Sequence, residues 1–244
     1  MMFNLLIRVV VGTLFVCSMS MANAGMYVYP MELTLGQKGA AQLKLISKSD
    51  EVQFVRVTLK QIINPGTPEE KEIDADISDA AGVAVVPTKI ALASGSERVV
   101  RVISMLPPEK ETTWRAYFEA VDERIFNETP GDDAIKKSTG NVGVNIIWGA
   151  LIHVVPQTTR VALQYQENSG QMINTGTVRL PLREIGICSA TGYCRWQKNI
   201  MTVYPGMKKA AAGVTFHAGE TYRAKYLDGI NDHLQEIALE KLKN

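Results

Sequence analysis

Residues 142–155 read Val142-Gly143-Val144-Asn145-Ile146-Ile147-Trp148-Gly149-Ala150-Leu151-Ile152-His153-Val154-Val155, which is far more apolar surface than a solvated strand needs. Successive strand side chains point to opposite faces, so one face carries Val142, Val144, Ile146, Trp148, Ala150, Ile152 and Val154. The other face starts with Gly143 and Asn145 and turns apolar at Ile147 and Leu151. Such a strand either sits in a sandwich core or lends its apolar row to a partner, and patterning alone weighs the two evenly.

Upstream, short alternating segments recur between turn residues. Leu33 and Leu35 precede Gly36-Gln37-Lys38-Gly39, Ala41, Leu43 and Leu45 precede Ser47-Lys48-Ser49-Asp50, and Val55, Val57 and Leu59 precede Asn64-Pro65-Gly66. Val83 and Val85, then Ile90 and Leu92, then Val100 and Val102 continue the pattern, and a strand beginning near Thr113 alternates Tyr117, Glu119 and Val121 against Phe118 and Ala120. Period-two segments at this spacing predict an all-β sandwich. Asp122 to Gly140 is polar and lacks periodicity, which predicts a mobile loop leading into the strand at 142–155.

Pro156-Gln157-Thr158-Thr159 then reads as a joint, because Pro156 removes a ladder donor and stiffens the turn. The expected division is residues 25–157 for a first sandwich, with 142–155 as its last strand, and 158–244 for a second. The second begins with Val161, Leu163 and Tyr165, turns at Glu167-Asn168-Ser169-Gly170 and Asn174-Thr175-Gly176, and continues through Val178, Leu180 and Leu182. In Gly229 to Asn244, Ile230, Leu234 and Ile237 fall at helical spacing before the stripe fails at Lys241, which predicts a short terminal helix or a frayed tail.

Residues 1–24 have the layout of a secretory signal: Arg8, then the short apolar run Val9 to Val16, then the small-x-small site Ala22-Asn23-Ala24. The run is shorter than the ~20 residues that a membrane span needs. The reading is export to the periplasm without membrane insertion. The remaining chain suffices for two domains of ~100 residues each. Arg8 is the only charged residue removed from 26 basic and 25 acidic ones, so the processed chain is formally neutral, which gives no support for a nucleic-acid partner.

Processing leaves Cys188 and Cys194, separated by Ser-Ala-Thr-Gly-Tyr. In an oxidising compartment, two cysteines this close around a glycine turn favour a local disulfide over a redox or metal site, because redox pairs usually enclose two residues and no neighbouring pair completes a tetrahedron. Catalysis has little to stand on. His153, His217 and His233 are far apart in sequence, and there is no phosphate loop or Gly-x-Ser-x-Gly elbow. No metal or cofactor is expected, and the chain reads as a non-enzyme.

Three ordered segments carry a resemblance: Ile62-Ile63-Asn64-Pro65-Gly66-Thr67, Arg115-Ala116-Tyr117-Phe118-Glu119-Ala120-Val121, and Val144 to Trp148 running on through Ala150-Leu151-Ile152. In that order they resemble the periplasmic pilus chaperones, closest to the alternate chaperone/usher branch that assembles class 5 (coli-surface-antigen and colonisation-factor) fimbriae. Asn174-Thr175-Gly176, the cysteine pair and Tyr204-Pro205-Gly206 extend the likeness more weakly into the second half. The resemblance implies two immunoglobulin-like β-sandwich domains set as a boomerang, with partners in pilus subunits and an outer-membrane usher. It implies that the last strand of the first domain is lent to a subunit lacking its own, with Val142, Val144 and Ile146 as the donated row and Trp148 as a fourth anchor. An exposed donor edge also makes self-association of the free protein an expectation.

Better-known relatives anchor the subunit's terminal carboxylate with a basic pair, and the matching positions here are Glu32 and Leu151, neither basic. Arg115 and His153 are the candidate substitutes, since Arg binds carboxylates in a bidentate fork and His can carry charge. The competing reading is an exported β-sandwich serving as a structural or adhesive pilus component, which would itself need a donated strand.

Overall fold

The computed structural model of the chain describes residues 25–75, 82–127, 145–229 and 233–242. Its first half packs two sheets face to face. One sheet has the order β1-β3-β8-β6, built from β1 (Met26–Tyr29), β3 (Ala40–Ser47), β8 (Glu97–Ser104) and β6 (Val83–Val86). The other has the order β2-β10-β9-β4-β5, from β2 (Glu32–Leu35), β10 (Ile147–Val154), β9 (Thr112–Val121), β4 (Gln53–Ile63) and β5 (Lys71–Asp74), with β7 (Lys89–Leu92) also pairing β4. The N-terminal segment crosses from one sheet to the other at Pro30, which has no N–H to give a ladder.

Alternation decides which side chains fill the space between the sheets. Leu43, Leu45, Val100 and Val102 are buried from the first sheet, and Leu35, Val55, Val57, Trp114, Ala116 and Phe118 from the second, with Ala150, Ile152 and Val154 of β10 completing the core. Each such Val, Leu or Phe contributes roughly 1.5–3 kcal/mol by leaving water. The intervening residues of β8, including Val99, Arg101 and Ile103, face solvent. The stretch after β9, expected as a loop, opens with one short helix, α1 (Glu123–Asn127), whose Phe126 ring sits 5.0 Å from that of Phe54. The rest of the expected loop lies outside the described residues.

The second half forms one continuous ladder in the order β14-β13-β16-β17-β11-β12-β15. Its strands are β11 (Leu163–Tyr165), β12 (Gln171–Asn174), β13 (Leu180–Cys188), β14 (Cys194–Val203), β15 (Lys208–Ala210), β16 (Thr221–Leu227) and β17 (Leu234–Lys241). The β11–β17 joint is parallel and only two residue pairs long, and the ladder folds over there so that both parts face one core. Tyr165, Phe216 and Tyr222 stack in that core with ring centroids 4.7–5.1 Å apart.

The C-terminal segment corrects the expected helix or frayed tail: it is β17, paired antiparallel with β16 from Tyr222↔Leu239 to Leu227↔Leu234. Its helix formers and 3.6-residue spacing lose to tertiary pairing, because Leu239 enters the core as a strand residue and its backbone groups find ladder partners on β16.

Cys188 and Cys194 are cross-strand partners at the tip of the β13–β14 hairpin and form a disulfide. In the chain-entropy account, a bridge closing so short a loop is worth about 2 kcal/mol. Replacing both cysteines by alanine is expected to lower the unfolding free energy by about that amount in urea titrations, with the slope nearly unchanged.

Candidate functional site

β10 is paired with β9 along its whole length, Ile147↔Glu119 to Val154↔Thr112. On its other side β2 joins in parallel only from Leu151↔Glu32 to Val154↔Leu35. Among the described residues, no strand therefore pairs with that side of Ile147–Ala150, and its N–H and C=O groups form an open edge where another chain can add a strand. Ile146 and Ile147 at the start of this edge are 46% and 50% exposed. Val142 and Val144, the first two residues of the expected donor row, lie outside the described residues. Trp148 packs against the first-domain core, and its buried indole N–H finds no partner. Ala150 and Ile152 are wholly buried, so the even-numbered row passes from open at Ile146 to enclosed at Ile152.

Next to this edge, at Leu151 where β2 joins β10, a cleft of about 590 Å³ separates the two halves. Glu32, Thr34 and Leu151 line it from one side, and Arg179, Arg183 and Tyr204 from the other. Arg179 precedes β13, where residues with odd numbers face outward while Leu180 and Leu182 are buried. A register shift between Leu182 and Glu184 lets the core face resume at Ile185.

Arg179 is the hub of a buried ion cluster. Its Nη1 donates to Glu111 Oε1 at 2.9 Å and its backbone N–H to Glu111 Oε2 at 3.1 Å, while Nη2 donates to Thr34 Oγ1 at 3.1 Å and lies 3.4 Å from Glu32 Oε1. The side chains of Arg179 and Glu111 are 6% and 1% exposed, whereas Glu32 is 57% exposed. His153 is enclosed beneath them: Nδ1 is 3.3 Å from Thr113 Oγ1 and 3.5 Å from Glu111 Oε1. Its Nε2 lies 3.2 Å from Glu32 Oε1, within ion-contact range but off the line of a good hydrogen bond. The His153 contact, reinforced by Arg179, holds the Glu32 carboxyl below its ordinary value against the opposing effect of burial. Burial pushes the neighbouring Tyr204 phenol up to about 12.

Two of the turn motifs hold this cleft in place. Asn174 donates to the carbonyls of Val178 and Val203, both at 2.8 Å, and accepts from Gly176 N–H, which fixes the chain leading to Arg179 beside the end of β14. Gly176 is required there because a Cβ would run into the Arg160 carbonyl oxygen. Gly66, at φ 71°, ends the Asn64-Pro65-Gly66 turn against the Tyr204 ring, so motifs distant in sequence meet across the two halves.

The sequence-derived anchors fare differently. Arg115 is paired with Glu72, which also accepts from the Tyr117 hydroxyl at 2.8 Å. His153 is 0% exposed. Neither offers an open cationic edge to the cleft, and the cations that line it are Arg179 and Arg183 from the second half. Glu32 and Leu151 are register neighbours, and Arg179 reaches Glu32 from across the cleft at 3.4 Å. No group of His, Cys, Asp or Glu among the described residues is arranged to hold a metal.

No protein-family profile matches the chain. Over 173 residues it is 35% identical to a CFA/I fimbrial subunit of Escherichia coli, covering 70% of this chain and 71% of that one. It is also 28% identical over 192 residues to a CS1 fimbrial subunit of Escherichia coli, covering 76% and 79%. Among solved structures, the class 5 fimbriae chaperone CfaA superposes with a TM-score of 0.72 at 26% identity over 90% of this chain and 100% of that one. A chaperone–tip adhesin complex of CFA/I fimbriae biogenesis superposes at 0.69, also at 26% identity, over 88% and 99%. These likenesses and the sheet order define a two-domain chaperone of the immunoglobulin-like β-sandwich type. The chain belongs to the class 5 fimbrial chaperones of the chaperone-usher family.

Proposed function

We propose that this protein is a periplasmic chaperone that captures fimbrial subunits by strand donation and hands them to an outer-membrane usher. Residues 25–157 form the donor domain, and residues 158–244 form the second wall of the cleft. The observation that carries the reading is the side of β10 over Ile147–Ala150 that no strand pairs among the described residues, continuous with half-exposed Ile146. A subunit strand laid there gains main-chain hydrogen bonds, and alternate side chains of the donor row, Val142, Val144 and Ile146, enter the subunit's open core. The cleft beside Leu151 of the same strand supplies Arg179 and Arg183 for a chain-terminal carboxylate.

The alternative, a structural or adhesive pilus component, would leave a sandwich that needs another chain's strand. Here β10 fills the first-domain core with Ala150, Ile152 and Val154, which favours the donor over the recipient. Coexpression in the periplasm with a class 5 pilin is expected to yield a 1:1 complex that protects the pilin from proteolysis. Recovery of the two proteins separately, with the pilin degraded as fast as when expressed alone, would overturn the reading.

A further inference from the structure

Both Nη atoms of Arg179 are engaged in the free protein. Nη1 and the backbone N–H are committed to buried Glu111, and Nη2 is shared between Thr34 and Glu32. The two carboxylates are not equivalent. Glu111 is sealed and receives two hydrogen bonds, whereas Glu32 sits at the cleft surface, is 57% exposed and holds Arg179 only at 3.4 Å. Glu32 also stands at the end of the parallel β2–β10 ladder, directly beside Leu151, where a carboxylate entering the cleft must arrive.

We infer that Glu32 is an in-built competitor whose carboxylate occupies the outer edge of Arg179 until an incoming carboxylate displaces it. The inference rests on the cleft reading above and adds a residue that sets how selectively the cleft takes a negative group. With Glu32 in place, a second carboxylate at Arg179 would face Glu32 and Glu111 around that one buried guanidinium, with Arg183 the other arginine lining the cleft, and like charges a few ångströms apart repel strongly where water is scarce. Glu32, 57% exposed, can swing into solvent by giving up Arg179 and its 3.2 Å contact with His153 Nε2, while Glu111, 1% exposed, cannot. The cleft therefore rejects carboxylates too weakly held to move Glu32, and it accepts a chain end whose strand is already docked along β10.

The test needs no pilin, so its outcome is separate from that of the capture experiment. N-acetyl-tetraalanine with a free C-terminal carboxylate and its C-terminal amide are titrated into the full-length protein, with the Arg179 side-chain N–H resonances as readout. The wild type is expected to bind the two probes with similar, weak affinity. Glu32→Gln keeps the shape and removes the charge, and it is expected to prefer the carboxylate by about five-fold or more, with the Arg179 resonances moving. Glu32→Ala, which also vacates the position, should show the same preference. If both variants discriminate no better than the wild type, or gain affinity without any response at Arg179, Glu32 is not the competitor.

Discussion

Changing Val144 to aspartate is expected to abolish subunit capture while leaving the chaperone folded. The apolar row offers roughly 1.5–3 kcal/mol gross for each Val or Ile that leaves water, and association and ordering costs consume much of the total. Loss of one central anchor, with a carboxylate pressed into an apolar pocket in its place, should weaken the complex by about 100-fold or more. Among the described residues, Ala150, Ile152 and Val154 of the same strand fill the first-domain core, so the free variant is expected to stay folded. Thermal unfolding of the free protein should shift by no more than the equivalent of about 0.5 kcal/mol. Ile146→Asp, at a position already 46% exposed, is expected to behave alike. Copurification with a pilin and a melting curve on the free variant check both halves, and wild-type yields of complex from both variants would exclude the donated row.

Strand patterning made the sandwiches legible because buried and exposed residues alternate strictly along much of β3, β4 and β8. The disulfide was equally readable, since a short interval around a glycine turn leaves the two cysteines little choice of partner. β17 was misread because its burial is shallow: only Leu239 is buried, so no period-two signal forms, and the pairing with β16 that stabilises it is set by tertiary structure. The cleft cation was illegible for a different reason. The alternation Arg179, Leu180, Pro181, Leu182, Arg183 shows which side chains face out of β13, but only tertiary structure shows that outward there means toward Glu32. Arg115 and His153 are cationic candidates near the strand in sequence, and in the fold Arg115 is paired with Glu72 while His153 is enclosed against Thr113, Glu111 and Glu32.

Removing Arg179 should cost far more stability than its single charge suggests. Arg179→Ala leaves the Glu111 carboxylate buried with the 179 backbone N–H, and with His153 Nδ1 at 3.5 Å as its nearest remaining side-chain nitrogen. Orphaning one member of a buried pair typically costs about 3–5 kcal/mol, most of it the desolvation of the stranded partner. The expected result is a loss of that size in chemical denaturation, together with faster proteolysis, because Glu111 leads into β9 of one sandwich and Arg179 into β13 of the other. The origin of the loss can be separated from its size. In Glu111→Gln/Arg179→Met no charge is stranded and the volumes are nearly kept, so much of the stability should return, giving a coupling energy well outside additivity. Subunit capture should not return with it, since the double variant restores packing without restoring a cation to the cleft. A double variant as unstable as Arg179→Ala would place the cost in lost contacts with Thr34 and Glu32, and recovered capture would remove Arg179 from the carboxylate site.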